Sequence, residues 1–333
     1  MEHILKTTDL AKPLLVQWPT LIVCSLCYSG FALSTLYADT FGVLAAGILL
    51  TLALTLFSSF SHEVLHGHPF RNETLNTLLV FPALGLLIPY PRFRDTHLAH
   101  HYDPSLTDPY DDPETNYVDP AVWVTWSPLR RAVYQLNNTL FGRMVLGPFI
   151  GLATFYTQDI KAVLAGNRRI LDAYLFHFAG LIPVFWWLLS ISTLPLWVYL
   201  LAVYASHAIL KIRTFLEHCA HEKARCRSVI IEDRGVLSLL FLNNNLHSVH
   251  HASPTVPWYR LPRLYAEKRA AYLKRNGGYA FRSYGQVIGL FFFRIKDPVP
   301  HALMPIPPVP QLDAAPHPEP RTDPPGRNAS ALR

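Results

Sequence analysis

Long apolar runs alternate with polar, histidine-rich segments along the chain. A helix needs about 20 predominantly apolar residues to cross the ~30 Å hydrocarbon core of a membrane. Four runs approach or exceed that length with almost no charge inside them. We therefore predict four membrane-spanning helices, paired as two hairpins, at residues 14–37, 41–62, 170–191 and 195–215.

Two weaker apolar stretches do not fit the same pattern. Residues 74–90 contain Pro82, and residues 141–158 contain the pair Gly147-Pro148. Glycine and proline interrupt regular helices, and one more crossing would move the following loops to the wrong side of the membrane. We therefore predict that both stretches form half-inserted or interfacial helices covered by protein.

The polar segments complete the predicted fold class, an all-α integral membrane protein. Residues 62–169 and 216–303 would form a helical cytoplasmic cap, so that residues 1–303 make one membrane domain. Residues 304–333 are rich in proline and poor in aromatic residues, so they cannot bury a core. We predict that this tail is disordered.

The distribution of charge orients the predicted helices. The turns near residues 38–40 and 192–195 contain no Lys or Arg, and all basic residues lie in or beside the other connections. The positive-inside rule then puts both termini and all long loops in the cytoplasm. We expect a bacterial inner-membrane protein. This topology explains the net charge of +6 without nucleic acid as a partner.

Histidines provide the candidate chemistry, because most of the 16 fall into short clusters. Residues three or four apart on a helix share one face, so each cluster would present several imidazoles together. Neutral imidazole is a good ligand for iron, zinc and copper. The clusters are His62, His66 and His68; His97, His100 and His101; His218 and His221; and His247, His250 and His251.

The remaining histidines are expected to have other roles. His3, His301 and His317 are interpreted as ordinary surface or tail residues. His177 and His207 lie inside predicted spans, where an ionisable group is a candidate functional residue. Each of these two either lines a substrate channel or is hydrogen-bonded within the helix bundle.

The first cluster also matches a different motif. His62-Glu63-Val64-Leu65-His66 is the H-E-x-x-H signature of zinc proteases, in which the glutamate is the general base. That interpretation needs one or two further ligands and leaves both H-x-x-H-H motifs unexplained. We therefore favour a shared metal site, with Glu63 orienting a histidine through its other ring nitrogen.

The order and spacing of these motifs resemble those of membrane fatty acid desaturases and their related hydroxylases and carotenoid ketolases. The resemblance covers residues 61–262, and within the superfamily the chain is most similar to the small bacterial members. It includes the sequence that follows the second cluster, which runs to Asp108-Pro109. It also includes the residues around the third, from Asn243 to Tyr259.

The resemblance implies two iron ions held by nine histidines, with His221 as an alternative to His218. Thr214 stands where acyl-CoA members have an asparagine that acts through water. The implied ligands are His62, His66, His97, His100, His101, His218, His247, His250 and His251. Supporting residues around them would be Glu63, His68, Asp108, Thr214, Glu217, His221 and Asn244.

The resemblance further implies an O2-dependent enzyme that introduces a double bond into an acyl lipid. Insertion of oxygen by a hydroxylase or ketolase is the close alternative, and a non-enzymatic metal-binding membrane protein is a remote one. We find neither a flavin- or cytochrome-like segment nor a G-x-G-x-x-G fingerprint. Electrons would therefore come from an external ferredoxin or cytochrome. Basic cytoplasmic residues could dock this partner or, equally, contact anionic lipid.

Overall fold

The structure, a computed structural model, describes residues 16–305. Nearly all of the predicted disordered tail lies outside the described residues, as do His3, His317 and the start of the first apolar run.

The described residues are almost entirely helical, which confirms the predicted all-α class. One short parallel pair, β1 (Ile230–Ile231) and β2 (Ala280–Phe281), is the only ladder among them. The helices are α1 (Trp18–Leu36), α2 (Ala38–Phe41), α3 (Val43–Leu65), α4 (Glu73–Leu78), α5 (Tyr90–His100), α6 (Pro120–Trp123), α7 (Pro128–Asn137), α8 (Leu140–Leu164), α9 (Arg168–Ser190), α10 (Leu196–Thr214), α11 (Val236–Leu240), α12 (His247–Ala252), α13 (Leu261–Arg275) and α14 (Tyr284–Phe291).

Five helices of the described chain are long and apolar enough to cross a membrane: α1, α3, α8, α9 and α10. Four of them coincide with the four predicted runs. Their outward side chains are large and apolar: Leu44 is 79% exposed, and Ile182 and Leu189 are each 70% exposed. Such surfaces are stable against lipid but not against water. Helices α1 and α3 pack closely enough that a Cβ on Gly30 would lie 2.9 Å from Ala53 Cβ.

Helix α8 differs from the prediction, because it continues without a break through Gly147 and Pro148. Proline removes one backbone donor from a helix, and groups on neighbouring helices can compensate for the loss. The Tyr204 hydroxyl of α10 donates to the carbonyl of Val145, close to the interruption. The helix is therefore held from outside at the point where its own hydrogen-bond ladder is weakest.

Both ends of α8 contact segments from the histidine-rich side of the molecule. Near its start, Phe141 N donates to Phe292 O at 3.0 Å. Near its end, Asp159 pairs with Arg92 of α5, with Arg92 Nη2 2.7 Å from Asp159 Oδ1. A crossing helix would have its ends on opposite membrane faces. These contacts therefore favour the interfacial placement over a fifth crossing.

The prediction of a single helix over residues 74–90 is wrong. Helix α4 ends at Leu78, and residues 79–89 are irregular yet largely covered by protein. Their carbonyl groups are satisfied by side chains from four surrounding helices, which is the condition for irregular backbone at membrane depth. The donors are Tyr28 to Leu79 O (2.7 Å), Tyr199 to Leu84 O (2.9 Å), His177 Nε2 to Leu86 O (2.8 Å) and Tyr156 to Leu87 O.

We expect Gly180→Ala to destabilise the packing of α9 against this irregular segment. A Cβ at this position would lie 2.1 Å from Phe81 O, and the Gly180 carbonyl accepts from Ala83 N at 3.3 Å. Overpacking of this kind costs about 1–3 kcal/mol, so the thermal unfolding midpoint in detergent should fall. Gly289→Ala is the control, since a Cβ there meets nothing within 4 Å. Equal midpoints for the two variants would contradict the close packing.

Candidate metal centre

The first histidine cluster lies at the end of α3. The helix runs to Leu65, so His62 occupies its last turn and His66 is its C-cap residue. His62 is 2% exposed, although imidazole is polar. The extension of an apolar helix beyond the length of a span thus delivers two imidazoles to its end, one buried and one half-buried.

The second cluster lies at the end of α5, a helix that begins with Tyr90-Pro91, where proline suits the first turn. His97 and His100 are in its last turn, and His101 is its C-cap. Helical spacing brings the three rings to one end of the helix, where His97 Nε2 and His101 Nε2 are 2.9 Å apart.

The third cluster forms the short helix α12. A reversal of the chain precedes it, with Leu242 and Asn243 at φ of 49° and 56°, a region that asparagine tolerates better than most residues. Asn243 Nδ2 donates to Trp258 O at 3.1 Å, and Asn245 Nδ2 donates to Ile231 O at 2.6 Å. These two amides hold both sides of the reversal and direct the cluster into the cap.

The structure brings the nine predicted histidines together as two groups. Within each group the candidate ligand nitrogens all lie within 4.8 Å of one another. His218 belongs to the second group, whereas His221 is exposed and its Nδ1 accepts the backbone N–H of Lys223. The first group is His62, His66, His97, His101 and His250; the second is His100, His218, His247 and His251.

Several imidazoles are held by their Nδ1 atoms. His100 Nδ1 donates to Asp112 Oδ1 at 2.7 Å, and His97 Nδ1 donates to Glu114 Oε1 at 2.9 Å. His247 Nδ1 lies 3.1 Å from Asn244 Oδ1. Carboxylate and amide oxygens only accept hydrogen bonds, so the proton of each neutral ring is on Nδ1. In the neutral form of these rings, Nε2 therefore carries a lone pair.

Those lone pairs converge, which tests whether metal ions fit the site. His218 Nε2 lies 2.8 Å from His100 Nε2 and 2.9 Å from His247 Nε2. Facing lone pairs repel at this distance unless a proton or a metal ion lies between them. The Nε2 atoms of His62 and His66 are also buried without a hydrogen-bond partner. The donor set, all imidazole nitrogen, fits two transition-metal ions.

Electrostatics keep most of these rings in the metal-binding form. Burial, together with repulsion from neighbouring imidazoles, lowers the pKa of His218, His247 and His250 well below the usual range. His100 differs: burial lowers its pKa, but Glu114 and Asp112 outweigh burial and raise the pKa to about 9. A metal ion bound by His100 at neutral pH must therefore displace a proton.

Three of the predicted supporting residues contact the centre. Glu63 Oε1 is 4.0 Å from His62 Nδ1, and Glu63 Oε2 accepts the N–H of Trp258, which ties the first cluster to the segment after the third. Glu217 Oε1 is 3.6 Å from His247 Nδ1 and 3.0 Å from Arg213 Nε. Asn244 contacts the same histidine, as described above.

The other predicted supporting residues lie elsewhere. Asp108 accepts the backbone N–H groups of Tyr110 and Asp111, so it stabilises a turn. His68 Nδ1 accepts from Gln17 Nε2 at 2.7 Å, which fastens the start of α1 to the loop after α3. Thr214 lines a cavity beside the centre.

Asp112, Glu114 and Ser228 are supporting residues that the sequence analysis missed. Ser228 Oγ lies 3.2 Å from His218 Nδ1. Asp112 also accepts Thr107 N at 2.8 Å, with Thr107 in a left-handed conformation at φ 72°. The acidic loop after the second cluster was the sequence feature that could have indicated Asp112 and Glu114. The sequence does not distinguish its several carboxylates, because only the fold of the turn determines which of them face the histidines.

The segment after α14 is hydrogen-bonded to the end of this acidic loop. Val118 N donates to Val299 O, and the Tyr117 hydroxyl donates to Asp297. Lys296 Nζ donates to the carbonyl of His218 at 2.7 Å, which fixes the backbone of a candidate ligand. This set of contacts, formed by residues 296–301, is called the C-terminal clamp below.

His301 belongs to the clamp, so its interpretation as a surface or tail residue is wrong. Its side chain is buried, and its Nε2 is 3.2 Å from Thr107 Oγ1. Its backbone N–H donates to Val118 O at 2.9 Å. The residue pairs with the acidic loop, a long-range contact that no local sequence pattern reveals.

A cavity of about 990 Å³ extends from the second histidine group to the irregular segment after α4. His100 and His218 border one end, and Leu54, Phe57 and Phe176 are among the apolar residues of its wall. His177 and His207 also line it, each with one ring nitrogen bonded to a backbone carbonyl. The wall also carries polar and charged side chains, among them Arg92, Lys211 and Glu217.

The fold and the site define an integral membrane protein with histidine groups that could hold two metal ions. The sequence profile of the fatty acid desaturase family matches residues 39–283, and the chain belongs to this family. It is also similar to a beta-carotene ketolase from Paracoccus sp. (strain N81106 / MBIC 01143). That relative is 26% identical over 272 residues, which cover 78% of this chain and 95% of the ketolase.

We expect Asp112→Asn to weaken metal binding about 10- to 100-fold, as loss of a carboxylate behind a ligating imidazole typically does. One of the carboxylate charges that raise the pKa of His100 is lost, while the shape of the side chain is kept. Asp108→Asn is the matched control in the same loop, since Asp108 contacts only the turn. Metal affinity is measured by competition with a chelator. Equal affinities for both variants would contradict the assignment.

We expect His218→Ala to lower the metal content of the purified protein and His221→Ala to leave it unchanged. The first residue is in the second histidine group, and the second is exposed on the following turn. Metal analysis by mass spectrometry distinguishes the two. Retention of full metal content in His218→Ala, with loss in His221→Ala, would reverse the assignment.

Proposed function

We propose that this protein is an O2-dependent, membrane-bound di-iron enzyme that desaturates an acyl chain. The observation that carries the proposal is the pair of all-imidazole groups, the second of which borders a cavity with apolar side chains in part of its wall. A saturated C–H bond offers no group for acid–base or nucleophilic attack. Two bound iron ions would supply the O2 activation that amino-acid side chains lack.

The roles of the protein residues follow from the contacts. The nine imidazoles bind the metal ions, and Asp112 and Glu114 keep protons on Nδ1 of His100 and His97. The apolar part of the cavity wall would hold the chain beside His100 and His218. In the overall reaction, two hydrogens from the substrate, two electrons and two protons reduce O2 to two water molecules.

Oxygen insertion by a hydroxylase or ketolase is the second candidate, favoured by the similarity to a beta-carotene ketolase. The same centre would serve both reactions, which differ in whether the substrate loses a second hydrogen or gains oxygen. A zinc protease is disfavoured, since His62 and His66 share their group with three further histidines. Glu63, its required general base, accepts the backbone N–H of Trp258.

We also propose that the centre faces the cytoplasm of a bacterium and that the enzyme lies in the inner membrane. The support is the distribution of Lys and Arg, which avoids the turns at the opposite ends of the two hairpins. Electrons would come from a separate ferredoxin- or cytochrome-type protein docked on the basic face of the cap.

Metal analysis of the detergent-purified protein tests the proposal first. We expect about two irons per chain, as two histidine groups require, and loss of both iron and activity in His100→Ala. Mass spectrometry of lipids from an expressing strain then identifies the reaction. Loss of two hydrogens indicates desaturation, and gain of oxygen indicates the second candidate. One zinc per chain, undisturbed by His100→Ala, would contradict the di-iron proposal.

A further inference from the structure

Helix α7 presents an apolar stripe that the described part of the chain leaves largely uncovered. Its apolar residues recur at positions i, i+3, i+4 and i+7, so they share one face of the helix. They are Leu129, Ala132, Val133 and Leu136. Leu129 is 76% exposed and Leu136 is 47% exposed. Such a stripe favours contact with another apolar surface over contact with water.

The other side of α7 is polar and partly faces the cavity. Arg130 and Tyr134 border the cavity together with Trp126, which precedes the helix. Arg130 Cζ lies 3.9 Å from the centre of the Trp126 ring, and Arg131 Nη2 donates to Val124 O at 2.6 Å. Helix α7 is therefore amphipathic, with the cavity on its polar side and its apolar stripe turned away.

The contacts of α8 place α7 beside the membrane. Helix α7 packs chiefly on α8, and only Asn138 and Thr139 separate the two helices in the sequence. Early in α8, Val145 O accepts the Tyr204 hydroxyl, and the ring centre of Phe149 is 4.9 Å from that of Tyr204. Tyr204 lies near the middle of α10, which is long and apolar enough to cross a membrane. The start of α8 therefore lies at membrane depth, with α7 next to it.

Exposed apolar side chains continue from α7 onto α8. Phe141, Val145 and Phe149 are spaced by four residues, so they share a face of α8, and all three are exposed. At membrane depth, lipid is the apolar solvent that covers such side chains. Lipid in contact with the start of α8 is therefore close to the stripe of α7 as well.

The composition of this segment also fits a membrane surface. Residues 120–137 contain Trp123, Trp126 and Tyr134, two arginines, and neither Asp nor Glu. Trp and Tyr are enriched at membrane–water interfaces, and arginines opposite an apolar face are typical of helices that lie in the interface. A soluble acidic partner would gain little here, because the two arginines are already engaged with Trp126 and with backbone carbonyls.

We propose that α7 lies in the membrane leaflet on the side of the metal centre, with its apolar stripe inserted among the lipid chains. This inference does not depend on the reaction proposed above. It has a consequence for the cavity, because Trp126, Arg130 and Tyr134 belong to the same segment and border that space. The bilayer then holds one wall of the cavity in place.

Spin-label accessibility of the full-length protein in nanodiscs of phosphatidylcholine and phosphatidylglycerol tests the inference. Nitroxide labels are attached to the variants Leu129→Cys and Leu136→Cys on the stripe and Gln135→Cys on the polar side, and the unsubstituted protein gives the background from the native cysteines. O2 concentrates among lipid chains, whereas a nickel chelate stays in water. We expect O2 to relax the two stripe labels more than the nickel chelate does, and the order to reverse at position 135.

Leu136→Glu and Gln135→Glu form a matched pair, each read out by the label at position 129. Both side chains are exposed, so neither change disturbs the core. A charge among lipid chains is costly, so Leu136→Glu should increase relaxation of the label by the nickel chelate, and Gln135→Glu should not. Equal effects of the two glutamates would overturn the inference. A nickel chelate that reaches position 129 as readily as position 135 would also overturn it and would indicate a surface for a soluble protein instead.

Discussion

The structure depends on the convergence of unprotonated imidazole nitrogens in a site shielded from water. Nine rings come from α3, α5, α12 and the segment just after α10, and each must point its lone pair towards the others. This arrangement is repulsive by itself, so the surrounding protein has to hold every ring in place. Asp112, Glu114, Asn244 and Ser228 do so for four of the rings, those of His100, His97, His247 and His218, through Nδ1.

The sequence predicted the fold where hydrophobicity decides it. Four long helices follow from the length of the apolar runs alone. The segment after α4 could not be predicted, because its irregular backbone is stabilised by hydroxyl and imidazole donors from distant helices, such as Tyr199 and His177. The continuation of α8 through Pro148 could not be predicted for the same reason. Proline breaks an isolated helix, but here a neighbouring helix supports α8.

The candidate ligands were predictable because helical spacing puts histidines of one motif on one face. The residues that support these ligands were harder to predict from the sequence. Glu63 and Glu217 adjoin the motifs in sequence and were found, whereas the choice of Asp112 over Asp108 depends on how one turn of an acidic loop folds. His301 shows the limit most clearly, since its partner Thr107 is 194 positions away.

The residues of the C-terminal clamp are synthesised after all of the candidate ligands that they help to position. A ribosome releases the candidate ligands first, from His62 to His251, and Lys296 only afterwards. Until then the carbonyl of His218 and the loop around Val118 lack the contacts that position them. The contacts that make the site rigid are thus completed only after all of the candidate ligands have been synthesised.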